Sequence, residues 1–194
     1  MKGQFKIILR KALSWLHLDL TKNLEYDRLT KKIIALTVVP GSTCVDVGAH
    51  RGEILDLFVK FAPLGRHMAF EPIPSLYDAL VKKYSGSCRI YPFALGERDG
   101  KTTFQLVRNA TAYSGILRRN YSIRHPEVEE IEVEIATLDS IVNEQEYVDF
   151  IKIDVEGAEF RVLLGARRTL CRCKPNIIFE CGLGASDYYG TNPD

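Results

Sequence analysis

Short apolar runs recur along this chain, and nearly every one closes on an acid or a glycine. Thr43 to Val47 carries Asp46 and stops at Gly48. Arg66 to Phe70 stops at Glu71 and Pro72. Phe150 to Ile153 stops at Asp154, and Asn176 to Phe179 stops at Glu180. A further run, Arg89 to Phe93, leads into Ala94, Leu95 and Gly96. Between them lie stretches of helical spacing, Glu53 to Phe61, Ser75 to Tyr84 and Phe160 to Leu170. Brief apolar runs alternating with helices predict βαβ units, and runs apolar on both sides predict strands buried on both faces. The expected fold is α/β: a Rossmann-like, doubly wound, mostly parallel sheet with helices on both faces.

This alternation starts only at Val38. Before it, residues 1–37 read as a helical segment. Phe5, Ile8, Leu9, Leu13, Trp15, Leu16 and Leu20 share one side of a first helix, and a second spans Tyr26 to Leu36. Arg10, Lys11, His17 and Asp19 interrupt the apolar stretch, and no small-residue cleavage site follows, which argues against a signal peptide. With Lys2 and Lys6 the first helix is basic and amphipathic. It suits peripheral contact with an anionic membrane, and equally packing on its own domain or on a second copy in a homo-oligomer. No run of 18 apolar residues exists to span a membrane. Five cysteines form an odd set, and Cys171 and Cys173 flank a single residue, a poor spacing for zinc or a redox pair. Reduced thiols and a cytoplasmic location are expected.

Residues 38–182 hold the main domain. Of the 194 residues only 183–194 follow it, too few for the helix and antiparallel hairpin that usually continue such a fold. The expectation is a fold truncated after its fifth core strand. Inside the domain the rhythm breaks once. Thr102 to Val107 and Ile131 to Ile135 alternate like antiparallel or edge strands, and Arg108 to Glu130 between them is irregular. Long irregular insertions carry function or move, so Tyr113, Ser114 and Tyr121 are candidates for contact with a substrate. Glu127, Glu129, Glu130, Glu132 and Glu134 read as a solvated strand face. A net charge of +1 excludes a generally basic, nucleic-acid-binding surface.

Ligands of an open parallel sheet bind outside the carboxyl ends of the strands. Gly48 and Gly52 bracket a tight strand-to-helix turn there. The dinucleotide pattern G-x-G-x-x-G is absent, and Asp46 beside the turn is wrong for a pyrophosphate, which wants free amides and no adjacent negative charge. A cationic ligand fits better, and S-adenosylmethionine carries an ammonium and a sulfonium. Glu71, 25 residues after Asp46, can accept the two hydroxyls of a ribose. Motifs for a P-loop (G-x-x-x-x-G-K) and a nucleophile elbow (G-x-S-x-G) are missing.

These residues resemble the FkbM-type methyltransferases, a branch of the class I S-adenosylmethionine-dependent fold. The resemblance runs from about Tyr26 to Gly182. It is carried by Val45 to Gly52, Phe70 to Pro72, Ala94 to Gly96 with Asp99 and Gly100, Thr137 to Ser140, and most specifically Asp149 to Glu159. It implies that Asp46, Gly48, Ala49 and Gly52 floor the methionine part of the cofactor, that Glu71 with Pro72 holds the ribose, and that Ala94 and Leu95 lie beside the adenine. The implied reaction is O-methylation of a small molecule or sugar.

Such a transfer needs the acceptor oxygen held in line and its proton removed or shared. Asp154, at the end of the fourth strand, is expected nearest the chemistry, as base, substrate anchor or ammonium contact, with Glu156 and Glu180 next. His50 is expected to cap the following helix or touch the cofactor rather than act as base or metal ligand. Asp154 and Glu180 alone are too few for a metal site, and none is expected. Two other readings remain: a non-catalytic cofactor-binding or scaffold protein, and a nicotinamide-dependent oxidoreductase, which the missing glycine opposes.

Overall fold

The computed structural model describes residues 22–121, 123–180 and 186–190. The chain divides after Thr37. In the first unit, α1 spans Lys22–Thr37; the basic helix expected over residues 1–20 lies outside the described residues. No described helix is long and apolar enough to cross a membrane.

The second unit begins with β1, Cys44–Val47, and continues through α2, Glu53–Phe61, β2, Met68–Phe70, α3, Pro74–Lys83, and β3, Arg89–Tyr91. After a second, smaller sheet the chain returns with β7, Phe150–Ile153, α5, Glu159–Leu164, α6, Arg167–Cys173, and β8, Asn176–Phe179. The strands line up as β3-β2-β1-β7-β8, all parallel. The chain thus winds outward from β1 on one side, then outward from β7 on the other. Strand order reverses between β1 and β7, where such sheets hold their ligands.

Alternation along the central strands sorts the core into two faces. Val45, Val47, Ile151 and Ile153 pack with Met68, Phe70 and the helical residues Val162, Ala166 and Cys173. Phe150 faces the other way, its ring edge-on to Phe58 of α2 at 5.5 Å. Neither face meets water, which is why these runs read as continuously apolar.

Two elements differ from the sequence expectation. The run Arg89 to Phe93 is not one strand. It breaks at Pro92, which has no N–H for a ladder, and β4, Phe93–Leu95, joins a second sheet with β5, Gly100–Val107, and β6, Val128–Ala136, in the order β4-β6-β5. The helix expected over Phe160 to Leu170 is two helices that part at Gly165 and Ala166. A Cβ on Gly165 would sit 1.9 Å from the Gly96 carbonyl oxygen, so backbone crosses backbone there. The Asp139 carboxylate of α4, Leu138–Ile141, restarts the second helix by accepting from the amides of Arg168 and Thr169, both at 2.8 Å. The alternating strands expected near residues 102–107 and 131–135 form the antiparallel β5–β6 ribbon.

Candidate functional site

The turn after β1 is strained in the sense glycine relieves. Gly48 and Gly52 have φ of 74° and 79°, and His50 enters the left-handed region at 49°. Gly48 abuts β7: the Asp154 amide donates to the Val47 carbonyl at 3.1 Å, and a Cβ on Gly48 would lie 2.0 Å from the Asp154 carbonyl oxygen. The turn spends its amides internally. Gly48 and Ala49 both donate to the Phe70 carbonyl, at 3.0 and 3.1 Å, and Gly52 donates to Ala49 at 2.7 Å. A pyrophosphate cradle needs those N–H groups free, so the geometry opposes a dinucleotide. Gly52, not His50, is the N-cap of α2; in place of the helix-capping role expected of it, His50 shares a hydrogen bond between its Nε2 and Thr111 Oγ1 at 2.8 Å. Burial lowers the His50 pKa and favours the neutral ring.

Asp46 is fully buried, and neither carboxylate oxygen has a hydrogen-bond donor among the described residues. Lys152, its partner in the β1–β7 register, brings Nζ to 3.3 Å from Oδ1, an ion pair without hydrogen-bond alignment. Burial raises the Asp46 pKa, and Lys152 opposes that shift. A buried carboxylate without donors is costly unless something else completes it.

Glu71 at the end of β2 reaches across to the turn. Oε2 accepts from the His50 amide at 2.8 Å and Oε1 from the Ile73 amide at 2.9 Å. Burial pushes its pKa up to about 7 against these two bonds. Each oxygen keeps a lone pair for a further donor. Pro72 is half-buried beside it. Ala94 packs with Ile73, next in the chain, whereas Leu95 turns into the main core. Of these two, Ala94 stays on the Glu71 side.

Around the ends of β7 and β8 three carboxylates gather. Glu180 continues β8, its amide bonded to the Ile153 carbonyl at 3.1 Å. Burial, then the adjacent Asp154 carboxylate, raises its pKa to about 7. Glu156 sits at φ 60° and pairs with Arg119 of the insertion. Burial raises its pKa to about 7 while Arg119 opposes. Such acids are poised to exchange a proton near neutrality. Among the described residues, no three His, Cys, Asp or Glu side chains are grouped to hold a metal ion.

The insertion lies over this end of the sheet. Thr111 holds His50, Arg119 holds Glu156 and stands 5.9 Å over the Tyr113 ring, and the amides of Leu117 and Asn120 donate to Tyr189 and Tyr188. Tyr113 therefore flanks the site. Ser114 does not: its hydroxyl accepts from the Val107 amide inside the ribbon. The Tyr121 hydroxyl is buried with no partner among the described residues.

Sequence reasoning passed over Lys152, Arg119 and Glu159. A lysine inside a buried strand was the available signal for the first. Glu159 Oε1 closes the loop after β7 by accepting from the amides of Val155 and Gly157, both at 3.0 Å. The other quoted segments are braces: Asp99 accepts from the Thr137 amide at 2.6 Å, and Thr137 caps Ser140 at 3.0 Å.

The chain is similar in sequence to known proteins. The 2-O-methyltransferase NoeI of Sinorhizobium fredii is 26% identical over 163 residues, covering 76% of this chain and 66% of that protein. The AMB antimetabolite synthetase AmbE of Pseudomonas aeruginosa is 25% identical over 166 residues, covering 67% of this chain and 8% of that protein. The chain thus spans just under two thirds of the first relative and a small part of the second. An rRNA methylase from Streptococcus thermophilus aligns with a TM-score of 0.44 at 11% identity, over 75% of this chain and 63% of that one. The Methyltransferase FkbM domain matches residues 46–189, and the chain belongs to that family.

Proposed function

We propose that this chain is an S-adenosylmethionine-dependent O-methyltransferase acting on a hydroxyl of a small molecule or sugar. The observation that carries the reading is Asp46: a fully buried carboxylate without donors, beside a glycine turn at the point where strand order reverses. Lys152 shares one positive charge between Asp46 and Asp154, so the group stays net negative and suits a cation rather than an anion. The residues fit the cofactor on that ground. Asp46, Gly48, Ala49, His50 and Gly52 would hold its amino-acid end, Glu71 with Pro72 its ribose, and Ala94 the side of its base, while Leu95 supports that wall from the core. When bound, the cofactor supplies an electrophilic methyl group.

The chain's own residues do the rest. Glu71 offers its remaining lone pairs to vicinal hydroxyls. Asp154 stands at the end of β7, next to Gly48, where an acceptor hydroxyl would approach. Glu180 beside it, with its pKa raised to about 7, can share the proton that leaves that hydroxyl. Glu156 and Arg119, with Tyr113, form a wall that orients the acceptor and excludes water. That NoeI is named a 2-O-methyltransferase supports oxygen as the acceptor atom. We further propose a cytoplasmic location and an acceptor carrying neighbouring hydroxyls.

The test is transfer of labelled methyl from S-adenosylmethionine to a panel of sugars and small polyols and phenols. Label should pass to a hydroxyl of at least one acceptor, and Asp154→Asn should cut transfer by about 10²-fold or more. Label found only on nitrogen, or equal turnover by the variant, would contradict the assignment.

A further inference from the structure

A buried lysine occupies the switch point, and the reading above gives it no task. Lys152 is 8% exposed. Its Nζ donates to the Gly48 carbonyl at 2.9 Å and lies 3.3 Å from Asp46 Oδ1 and 3.5 Å from Asp154 Oδ2. One ammonium thus touches β1, the glycine turn and the end of β7, the three segments that make the floor of the site. Burying an ammonium is expensive, and only close partners offset the cost. Burial works against the charge of Lys152, yet Asp46 and Asp154 more than reverse it and raise its pKa. The other titratable groups facing this cluster are His50, Arg51 and Glu53 from the turn and α2, Glu71 from the end of β2, Tyr84 from the end of α3, Glu156 from the loop after β7, and Glu180 beyond Asp154.

We propose that Lys152 is a positioning residue for the cofactor: its ammonium fixes the Gly48 carbonyl and keeps Asp46 ionised, so that a cationic ligand meets a formed, negative floor. The proposal rests on the cofactor reading above. Without Lys152 the Gly48 carbonyl loses its donor. Asp46 would be left with neither donor nor counter-ion and would take up a proton. A lysine that merely filled space would have no such consequence for Asp46.

Two experiments separate these roles. The first uses no cofactor: thermal unfolding of wild type, Lys152→Met and the double variant Asp46→Asn with Lys152→Met, from about pH 5 to pH 8. In Lys152→Met, folded Asp46 holds a proton that the unfolded chain releases above pH ~3.9, so stability falls as pH rises. The gap in Tm from wild type should widen with pH, and the double variant should abolish the widening. A single variant that folds only at the acid end, beside a double variant that folds throughout, supports the same conclusion. A gap independent of pH, or both variants unfolded at every pH, would overturn it in favour of packing.

The second experiment is calorimetric titration with S-adenosylhomocysteine near pH 7. Lys152→Met should bind about tenfold more weakly or worse. Equal affinity would overturn the positioning role while leaving the function intact. Failure of wild type to bind either S-adenosylhomocysteine or S-adenosylmethionine would remove the functional reading and the cofactor role of Lys152 with it. The unfolding series would then still decide whether Lys152 is the counter-ion of Asp46.

Discussion

Gly48 concentrates the geometry of the site in one residue. Its φ of 74° excludes most side chains, and the Asp154 carbonyl 2.0 Å from its missing Cβ excludes the rest. Gly48→Ala should therefore push β1 and β7 apart at their carboxyl ends. The expected cost is about 2–4 kcal/mol, from left-handed strain plus a backbone clash, read as a lower denaturant midpoint with unchanged slope. A change below about 0.5 kcal/mol would mean the two strand ends can part freely. Gly48, Asp46 and Glu71 were legible in the sequence because strand ends are marked by where an apolar run stops. Lys152 stood out as the one charge in the run Phe150 to Ile153, but its role was not legible, because a strand buried on both faces does not say which partners a charge will meet. The Glu156–Arg119 pair was half-legible: the acid belongs to the Asp149 to Glu159 segment, but its partner lies 37 residues away in a loop without period.

At the scale of elements, the insertion is braced on the β5–β6 ribbon by the Gln105–Gly115 bridge and the Ser114 hydroxyl, and reaches the strand ends through polar contacts. His50 to Thr111, Glu156 to Arg119, and the hydroxyls of Tyr188 and Tyr189 hold it over the strand ends. These bonds are part-buried or exposed, so they belong to the less stable part of the structure. Arg119→Ala should speed hydrogen exchange at the Leu117 and Asn120 amides and leave β1 and β7 protected. Faster exchange spread through the parallel sheet would show that Arg119 supports the core instead. Boundaries that sequence reasoning misplaced lie where tertiary contact overrides local pattern. The break at Pro92 is the exception, since its missing N–H marks it locally inside the run Arg89 to Phe93. Gly165 interrupts a helical period because the Gly96 backbone passes too close for any side chain.

Across the whole molecule, unbalanced carboxylates at one end of the sheet link stability to pH. Glu71, Glu156 and Glu180 are each raised to about 7. Their folded forms hold protons that the unfolded chain has already released above pH ~4.3, so their contribution to stability is full below that value and is lost as pH rises toward 7. Glu180→Gln should flatten this decline in Tm, and a decline of unchanged slope would exclude Glu180 from it. A cation entering the site lowers the same pKa values, so binding of S-adenosylmethionine near pH 7 should release protons, seen as a calorimetric enthalpy that varies with the ionisation enthalpy of the buffer. The doubly wound architecture was readable from alternating apolar runs and helices. The smaller second sheet was readable only as a break in that rhythm, since its pairings join residues distant in sequence.

The central claim is that the acidic strand ends and the glycine turn form a cofactor site. Calorimetric titration of S-adenosylmethionine and S-adenosylhomocysteine into wild type and Glu71→Gln tests it most directly, because glutamine keeps one acceptor for the His50 or Ile73 amide while weakening the grip on ribose. Micromolar binding by wild type, reduced about tenfold or more in the variant, is the predicted result. A folded wild-type chain that binds neither compound, or a variant that binds as well as wild type, would contradict it.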